Sequence, residues 1–471
     1  MDSDLAFASA VEIRSLIAAR QVSPVEVTRV YLERIERVNP KLNAYLTVVP
    51  EQAMESARAA ERAVMAGAAL GPLHGVPVSI KDLEATKGIR STSGSLALRD
   101  RVPEEDGIVS ERVRRAGAVI LGKTNTSEFG FLAQTENRLG GSGRNPWDLS
   151  CTCGGSSGGA GAAVAAGLCA LATGSDGGGS IRVPSSYCGV YGIKPTFGRV
   201  PSAGSSRGRQ SASMFGQAGP LTRSVRDAAL LLQVMAGYDA RDPAALRDAP
   251  EDYLAACGRG AQGLRVAWSP DFGHAAVDPG VLALARNAAL SFESMGCSVE
   301  EVDLALEPTF DHFWKIMLSN AYANLEKLVE ARGELLAPYT REFMALGARV
   351  TGAEYARALG VVERLRARFA DLFEKYDLLL TPTTATTAFP LGKPPSEIGG
   401  REVDLFWGFT PFTFPVNMVG APAASIPCGT APDGLPVGLH IVGRPGAEAT
   451  VLAASAAYEA LRPWRRGVEV T

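Results

Sequence analysis

Short apolar runs alternate with helix-like patterns along most of the chain. Residues 76–80, 118–121 and 168–173 are apolar at nearly every position, which is typical of strands buried on both faces of a sheet. Between these runs, residues 109–116 and 160–166 have the pattern of helices. The alternation predicts an α/β fold with a largely parallel central sheet and helices on both of its faces.

The first 70 residues are predicted to be mainly helical. Ser23-Pro24-Val25-Glu26 is a capping box with proline at the first helical position, which predicts a helix that runs to about residue 38. A strand is expected near residues 42–49, and a further helix over 51–66.

The second half of the chain continues the alternation without a low-complexity linker or an internal repeat. Its predicted elements are strands over 264–268 and 377–380 and helices over 279–295, 310–331 and 352–375. The Gly/Ser-rich stretch 201–216 and the Pro/Gly-rich stretch 390–400 are interpreted as loops near an active site, not as linkers. We therefore expect residues 1–471 to form one large domain.

The composition argues against several classes of protein. The 47 Lys+Arg and 50 Asp+Glu residues give a net charge of −3, which offers no basic surface for nucleic acid or anionic lipid. The N-terminus lacks the basic region of a signal peptide, and the least polar stretch, 160–174, is too short for a membrane span. Seven cysteines, an odd number, indicate reduced cytosolic thiols. We expect a cytoplasmic protein that binds neither membrane nor nucleic acid.

Three motifs suggest other chemistries and are disfavoured. Residues 117–124 satisfy the P-loop pattern, but their Ala-Val-Ile-Leu centre favours a buried strand. Residues 154–158 satisfy the G-x-S-x-G pattern of a nucleophile elbow, which requires a histidine base. Three of the four histidines follow Ser156, so chain order does not exclude that pattern, although no HGGG motif precedes it. Cys151-x-Cys153 lacks a second ligand pair, so no metal or other cofactor is expected.

Two Gly/Ser clusters carry the stronger signal. They read GGSSGG over 154–159 and GSDGGGSIR over 174–182. Consecutive glycines can direct several backbone N–H groups at one point, although each cluster alone is also typical of a tight turn. A serine nucleophile needs a base, and a buried lysine held neutral can supply it. Lys81 is the candidate because it follows the strand predicted over 76–80; the alternative is a surface lysine paired with Asp82.

With these clusters the chain resembles the amidase signature family. Ser156 of the first cluster and Ser180 of the second are 24 residues apart, which is the spacing of that family. The matching segments span nearly the whole chain. They are densest in a core over 71–230, between the helical segment over 1–70 and the remainder over 231–471. The matching segments are GPLHGVPVSIKD at 71–82, GKTNTSEF at 122–129, GPLTRSVRD at 219–227, PVNMVGAP at 415–422 and GLPVGLHIVGR at 434–444.

The resemblance implies a Ser–cis-Ser–Lys triad on a single large domain with a mixed, largely parallel twisted sheet. Ser180 would be the nucleophile, Ser156 would relay the proton after a cis peptide bond, and Lys81 would be the base. The oxyanion hole would be formed by the backbone of Gly177, Gly178, Gly179 and Ser180. The residues that support the site would be Ser157, Asp176 and Arg182. Arg182 has the alternative role of a clamp on a substrate carboxylate.

Two departures from the family pattern concern substrate reach and leave the triad intact. The chain has Ser175-Asp176-Gly177 where the family usually has Thr-Asp-Thr, and it has Cys153 where a proline commonly precedes GGSSGG. The additional glycine is expected to loosen the loop and widen the pocket.

The expected substrate is a small apolar or aromatic amide, with esters and carbamates (urethanes) as further substrates of the same route. Aromatic residues are the candidates for a substrate channel, although about half of the aromatic side chains are expected in the core. A glutaminase subunit of the amidotransferase A type is disfavoured, because residues 405–414 contain no acid for the amino group of glutamine. A nylon-type oligoamide hydrolase stays open, as does the choice between monomer and homodimer. The candidate substrate contacts are Phe129, Gly130, Phe131, Trp314, Trp407 and Phe409.

Overall fold

A long central sheet and the helices packed on it account for most of the chain. The computed structural model describes residues 2–202 and 214–470, so most of the loop predicted over 201–216 lies outside the described residues. The helices are α1 (Asp2–Phe7), α2 (Ala10–Ala18), α3 (Pro24–Leu42), α4 (Pro50–Met65), α5 (Ile108–Arg115), α6 (Gly158–Ala165), α7 (Arg182–Cys188), α8 (Val225–Met235), α9 (Tyr253–Ala256), α10 (Pro279–Leu290), α11 (Phe310–Arg332), α12 (Pro338–Gly347), α13 (Gly352–Lys375), α14 (Phe414–Val419) and α15 (Glu448–Leu461). The strands are β1 (Tyr45–Val48), β2 (Pro77–Lys81), β3 (Val119–Thr124), β4 (Leu171–Asp176), β5 (Tyr191–Lys194), β6 (Gln217–Thr222), β7 (Arg265–Trp268), β8 (Ser298–Glu301), β9 (Leu378–Pro382), β10 (Glu397–Ile398), β11 (Arg401–Glu402), β12 (Ala423–Thr430) and β13 (Pro436–Gly443).

Eleven strands form the main sheet in the order β1-β3-β2-β4-β6-β5-β12-β13-β9-β7-β8, and β10 and β11 pair separately. The neighbours β3-β2-β4 are parallel, as are β9-β7-β8 on the other side. Between these groups, from β4 to β9, all neighbouring strands are antiparallel, and β1 is antiparallel to β3. The predicted α/β fold with a mixed sheet is confirmed, and the parallel pairing lies in its two flanking groups.

The buried strands that the apolar runs predict are present. Both β2 and β3 are buried at every position, as expected for strands covered on both faces. Because β3 includes the Gly-Lys-Thr end of the P-loop pattern, that segment is a strand and not a phosphate-binding loop. The strand β2 extends one residue beyond its predicted end and includes Lys81.

The N-terminal helix signal is also confirmed. The hydroxyl of Ser23 accepts a hydrogen bond from the N–H of Val25 at 2.9 Å and caps α3, which runs past the predicted end to Leu42. One apolar cluster extends from Ala10 in α2 to Tyr458 in α15, so both ends of the chain contribute to one core.

Two structural features are absent from the described residues. In residues 2–202 and 214–470, no helix is both long and apolar enough to cross a membrane. Within the same ranges, no group of three or more His, Cys, Asp or Glu side chains is arranged to hold a metal ion.

Candidate active site

Lys81 ends β2, and its side chain is buried against uncharged oxygen atoms. Its Nζ donates a hydrogen bond of 2.8 Å to Oγ of Ser156. The same nitrogen lies 3.0 Å from Oγ and 3.2 Å from the carbonyl oxygen of Ser175. These contacts hold the amine at a hydroxyl group with which it can exchange a proton.

The surroundings of Lys81 favour its neutral form. Burial lowers the pKa of Lys81 to about 7, and the negative charge of Asp176 only partly opposes this effect. An unperturbed lysine has a pKa of about 10.4 and is almost fully charged at neutral pH. Lys81 can therefore serve as a proton acceptor near pH 7, as a general base must.

Ser156 lies in the Gly/Ser loop that leads into α6. The Gly155–Ser156 peptide bond is cis, as the family resemblance implied. Position 155 admits only glycine, because a Cβ there would lie 2.4 Å from the backbone carbonyl carbon of Gln134. The hydroxyl of Ser157 accepts a hydrogen bond from the N–H of Ser175 at 3.3 Å and donates one to its carbonyl oxygen at 3.2 Å. This pair of bonds ties the loop to β4.

Ser180 lies in the turn between β4 and α7 and lines the same cavity as Lys81 and Ser156. Its carbonyl oxygen accepts a hydrogen bond of 3.1 Å from the N–H of Ser157, so the two serine-bearing loops are in direct contact. The cavity has a volume of about 270 Å³. The structure thus brings the three residues predicted as catalytic to one cavity.

Arg182 and Asp176 form a buried ion pair below the turn. The guanidinium donates to both carboxylate oxygens at 2.9 Å, and further to the carbonyl oxygen of Thr413 and to Oδ1 of Asn417. Burial by itself raises the pKa of Asp176, but the charge and hydrogen bonds of Arg182 hold it well below its usual range. The alternative prediction, that Arg182 clamps a substrate carboxylate, is wrong because its nitrogens already bond to protein groups.

Three of the four residues predicted for the oxyanion hole line the cavity, namely Gly177, Gly178 and Ser180. Gly179 is the exception. Its N–H donates a hydrogen bond of 2.7 Å to the carboxylate of Asp176 and is therefore committed to the protein. The prediction of an oxyanion donor is wrong for Gly179.

Thr413 holds the same peptide unit from its other side. Its hydroxyl donates a hydrogen bond of 2.6 Å to the carbonyl oxygen of Gly178. Because a trans peptide is planar, its C=O and its following N–H point in opposite directions. Thr413 and Asp176 together fix the orientation of the peptide between Gly178 and Gly179, and with it the turn that carries Ser180.

Four of the six predicted substrate contacts line the cavity: Phe129, Gly130, Phe131 and Trp407. The rings of Phe129 and Phe131 have centroids 5.9 Å apart and form an apolar wall. This wall can accept an apolar or aromatic group beside the two serines.

Trp314 and Phe409 do not line the cavity, and their prediction as substrate contacts is wrong. The ring of Trp314 packs edge-on against Phe343, with centroids 4.7 Å apart, and lies behind the cavity wall at 5.9 Å from Trp407. Phe409 is fully buried against Phe389, with ring centroids 4.9 Å apart. Phe409 belongs to the apolar core, and the half-buried Trp314 packs against that core.

Two polar residues of the cavity are not among the predicted sites. Ser175 contacts Lys81 directly, yet the sequence marked it only as a departure from the usual Thr-Asp-Thr. Glu84 lines the cavity three residues after Lys81. Burial raises the pKa of Glu84 to about 7, and the nearby Lys123 opposes this rise. The short distance in sequence between Glu84 and Lys81 could have identified Glu84 as a candidate site residue.

Lys81, and not a histidine, is the partner of Ser156. Among the described residues, no histidine forms a hydrogen bond with Ser156 or Ser180. The buried His440 lies 3.0 Å from a guanidinium nitrogen of Arg182, and burial lowers its pKa well below the usual value. The nucleophile-elbow alternative therefore lacks its base.

Comparisons with known proteins agree with this geometry. The sequence pattern of the Amidase family matches residues 26–452. This chain belongs to the amidase signature family. As an amidase of this family, it is a hydrolase of amide C–N bonds.

Three proteins similar to this amidase are an acylamidase, an amidotransferase subunit and an aryl acylamidase. An acylamidase of Rhodococcus erythropolis is 40% identical over 472 residues, which cover 98% of this chain and 97% of the relative. The A subunit of the glutamyl-tRNA(Gln) amidotransferase of Moorella thermoacetica is 40% identical over 487 residues, 98% of each chain. The crystal structure of a bacterial aryl acylamidase of the amidase signature family superposes with a TM-score of 0.92 at 34% identity, over 97% of each chain.

Proposed function

We propose that this amidase hydrolyses apolar or aromatic carboxamides through an acyl-enzyme on Ser180. The observation that carries the proposal is the 2.8 Å hydrogen bond between Nζ of Lys81 and Oγ of Ser156, in the cavity that Ser180 also lines. An amine with a pKa near 7 can accept the proton of a serine hydroxyl through a second hydroxyl.

The reaction proceeds in two halves. Oγ of Ser180 attacks the carbonyl carbon while its proton passes to Ser156, whose own proton passes to Lys81. The N–H groups of Gly177, Gly178 and Ser180 stabilise the oxyanion, each contributing about 2.7–4 kcal/mol to the barrier reduction. The C–N bond then breaks as Lys81 returns the proton through Ser156 to the leaving nitrogen. Water enters by the same relay, releases the carboxylate and regenerates Ser180.

The walls of the cavity support an apolar acyl or amine group. Phe129, Phe131, Met317 and Trp407 line it, so a substrate of matching size removes apolar surface from water as it binds. The likeness to an acylamidase and an aryl acylamidase supports the same substrate class. Esters and carbamates follow the same route, because the relay can protonate an alkoxide as well as an amine.

A glutaminase is the second candidate, because the A subunit of an amidotransferase is as similar in sequence as the acylamidase. The structure offers Glu84 as a cavity carboxylate for the amino group of glutamine. The apolar walls favour the first candidate. A nylon-type oligoamide stays within the proposed substrate class as a larger amide.

The test combines covalent labelling with a substrate panel. A fluorophosphonate probe is applied to the wild type, Ser180→Ala and Ser156→Ala, followed by intact mass and peptide mapping. We expect an adduct on Ser180 that is lost in Ser180→Ala. Steady-state rates on aryl, alkyl and primary amides, glutamine, an ester and a carbamate then rank the substrates. A preference for glutamine or asparagine would overturn the proposed substrate class, and an adduct on Ser156 would overturn the assignment of the nucleophile.

A further inference from the structure

A second cavity lies apart from the catalytic one, between the hairpin β12–β13 and the chain that follows α15. Its volume is about 220 Å³. Two indole rings, Trp147 and Trp464, form part of its lining, together with Pro436 and Pro463. None of these residues lines the cavity of Lys81. The walls are therefore flat and apolar, which suits a planar ring.

Two hydrogen-bond donors of this second cavity are buried without a partner. Tyr458 is fully buried, and its hydroxyl has no hydrogen-bond partner among the described residues. Nε1 of Trp464 is likewise buried and unpaired within the described part of the chain. A buried donor without an acceptor costs about 1–3 kcal/mol, so both groups gain from an acceptor brought by a ligand.

Two arginine side chains bring positive charge to the second cavity. Arg462 and Arg465 line the cavity, and neither forms an ion pair with a carboxylate in residues 2–202 or 214–470. Arg465 lies over the ring of Trp147 at 5.7 Å. Burial raises the pKa of Tyr458, and the charge of Arg462 and its proximity to the hydroxyl oppose this rise, so Arg462 lies beside the hydroxyl. Because its pKa is raised, the hydroxyl stays protonated and keeps a hydrogen for an acceptor on a ligand.

We propose that this second cavity binds a small aromatic carboxylate. Among the described residues, the two buried unpaired groups of its lining, the Tyr458 hydroxyl and the Trp464 indole N–H, can both donate, and the lining includes no aspartate or glutamate. A guanidinium matches a carboxylate in planar, two-point geometry, and the tyrosine hydroxyl and indole N–H supply further donors. The ring of the ligand packs between the indoles while its carboxylate meets Arg462, Arg465 and Tyr458.

The position of the second cavity relates the proposed ligand to the reaction at Ser180. Gly189, which directly follows α7, lines the second cavity, whereas Ser180 lies two residues before the first residue of α7. If the proposed function holds, the acyl product released at Ser180 belongs to the same chemical class as the ligand. Binding itself does not depend on that function, and the experiment measures binding alone.

The experiment is isothermal titration of the full-length Ser180→Ala protein, which cannot turn over benzamide through Ser180, with benzoate, benzamide and inorganic phosphate. We expect saturable binding of benzoate, with benzamide and phosphate at least about tenfold weaker, because the first lacks the charge and the second lacks the ring. The variant Arg462→Gln/Arg465→Gln should weaken benzoate at least about tenfold, and Tyr458→Phe should weaken it severalfold. Arg466→Gln is the matched control, because Arg466 pairs with Glu459 and does not line the cavity.

Benzoate can also enter the catalytic cavity, and the variants separate the two sites. Binding at the catalytic cavity is insensitive to Arg462 and Arg465, which lie outside its lining. Equal benzoate affinity of the Ser180→Ala protein with and without the two arginine substitutions would overturn the proposal. Equal affinity for benzamide would overturn the role of charge, and equal affinity for phosphate would overturn the role of the ring. Comparable thermal unfolding of the variants shows that each is folded.

Discussion

Lys81 shows how burial sets the chemistry of a single side chain. Its amine contacts two hydroxyl groups and one carbonyl oxygen, none of which stabilises an ammonium as a carboxylate would. The charge of Asp176 favours the ammonium form only partly, because Asp176 forms an ion pair with Arg182. The site therefore keeps a base near neutrality without a histidine.

The pH dependence of the rate follows from this pKa. Because the neutral amine is the active form and burial lowers the pKa of Lys81 to about 7, kcat/KM should rise between about pH 6 and pH 8 and then level off. Initial rates on an aryl amide across this range measure the profile. A profile that is flat from pH 6 to 9 would contradict the role of Lys81.

The same shift predicts a stability effect of Lys81→Met. Between the folded pKa of about 7 and the unfolded value of about 10.4, the unfolded chain binds a proton that the folded chain does not. Lys81 therefore costs stability as the pH falls through this window. The variant should lose amide turnover and unfold at a higher temperature than the wild type at pH 6, with a smaller difference at pH 9. Scanning calorimetry at both values checks this, and a difference independent of pH would exclude the explanation.

Replacement of Thr413 is expected to impair turnover and not substrate binding. Removing its hydroxyl in Thr413→Val frees the carbonyl of Gly178 and loosens the turn that carries Ser180. We expect kcat to fall about tenfold with little change in KM, as for an interaction that matters most in the transition state. Thr28→Val is the control, because the buried Thr28 hydroxyl has no hydrogen-bond partner in the described chain. An equal loss in both variants would point to general destabilisation.

At the scale of elements, two loops beside β4 build the site. The loop before α6 and the turn between β4 and α7 meet through the hydrogen bond from Ser157 to Ser180. Their glycines permit backbone approaches that no side chain would allow. A Cβ on Gly155 would lie 2.4 Å from the backbone of Gln134, and one on Gly159, in the first turn of α6, would lie 2.4 Å from the backbone of Asn125.

Gly155→Ala tests the close approach of the first loop. The added methyl group meets backbone and not a flexible side chain, so the loop must move, at a cost of about 1–3 kcal/mol or more. Chemical denaturation should show this loss together with a loss of activity. Gly352→Ala, at the start of α13 with open space around it, should leave stability unchanged or raise it by up to about 1 kcal/mol. If both variants matched the wild type, the backbone approach at Gly155 would not matter.

At the scale of the whole molecule, distant segments of the chain close the cavity. The strands β2 and β4 supply Lys81, Ser175 and the turn with Ser180, whereas Met317 of α11 and Trp407 come from the second half. The first half thus contributes the catalytic groups together with Phe129 and Phe131, and the second half contributes the rest of the apolar lining. Specificity can therefore change in the second half without a change in the catalytic groups.

Met317→Ala tests this division. Met317 is half-buried in α11 and lines the cavity, so its truncation removes apolar contact with a large substrate. KM for an aryl amide should rise roughly three- to tenfold, with little change in KM for a short aliphatic amide or in the labelling of Ser180. Met65→Ala, at a side chain that is 65% exposed, is the control. A uniform rise for both substrates would indicate a general effect on the active site.

The sequence by itself was sufficient for the α/β fold and the buried strands, because these depend on local patterns. The candidate triad followed from the resemblance of its motifs to the amidase signature family. Apolar runs identified β2 and β3. Ser156 and Ser180, which are 24 residues apart in the sequence, line the same cavity in the structure. The tertiary structure decided which groups face that cavity. The hydroxyl that orients the peptide before Gly179 belongs to Thr413, 235 residues away from its acceptor. Whether an aromatic ring lines the cavity, as Trp407 does, or packs behind it, as Trp314 does, depends on contacts between distant elements that local pattern does not encode.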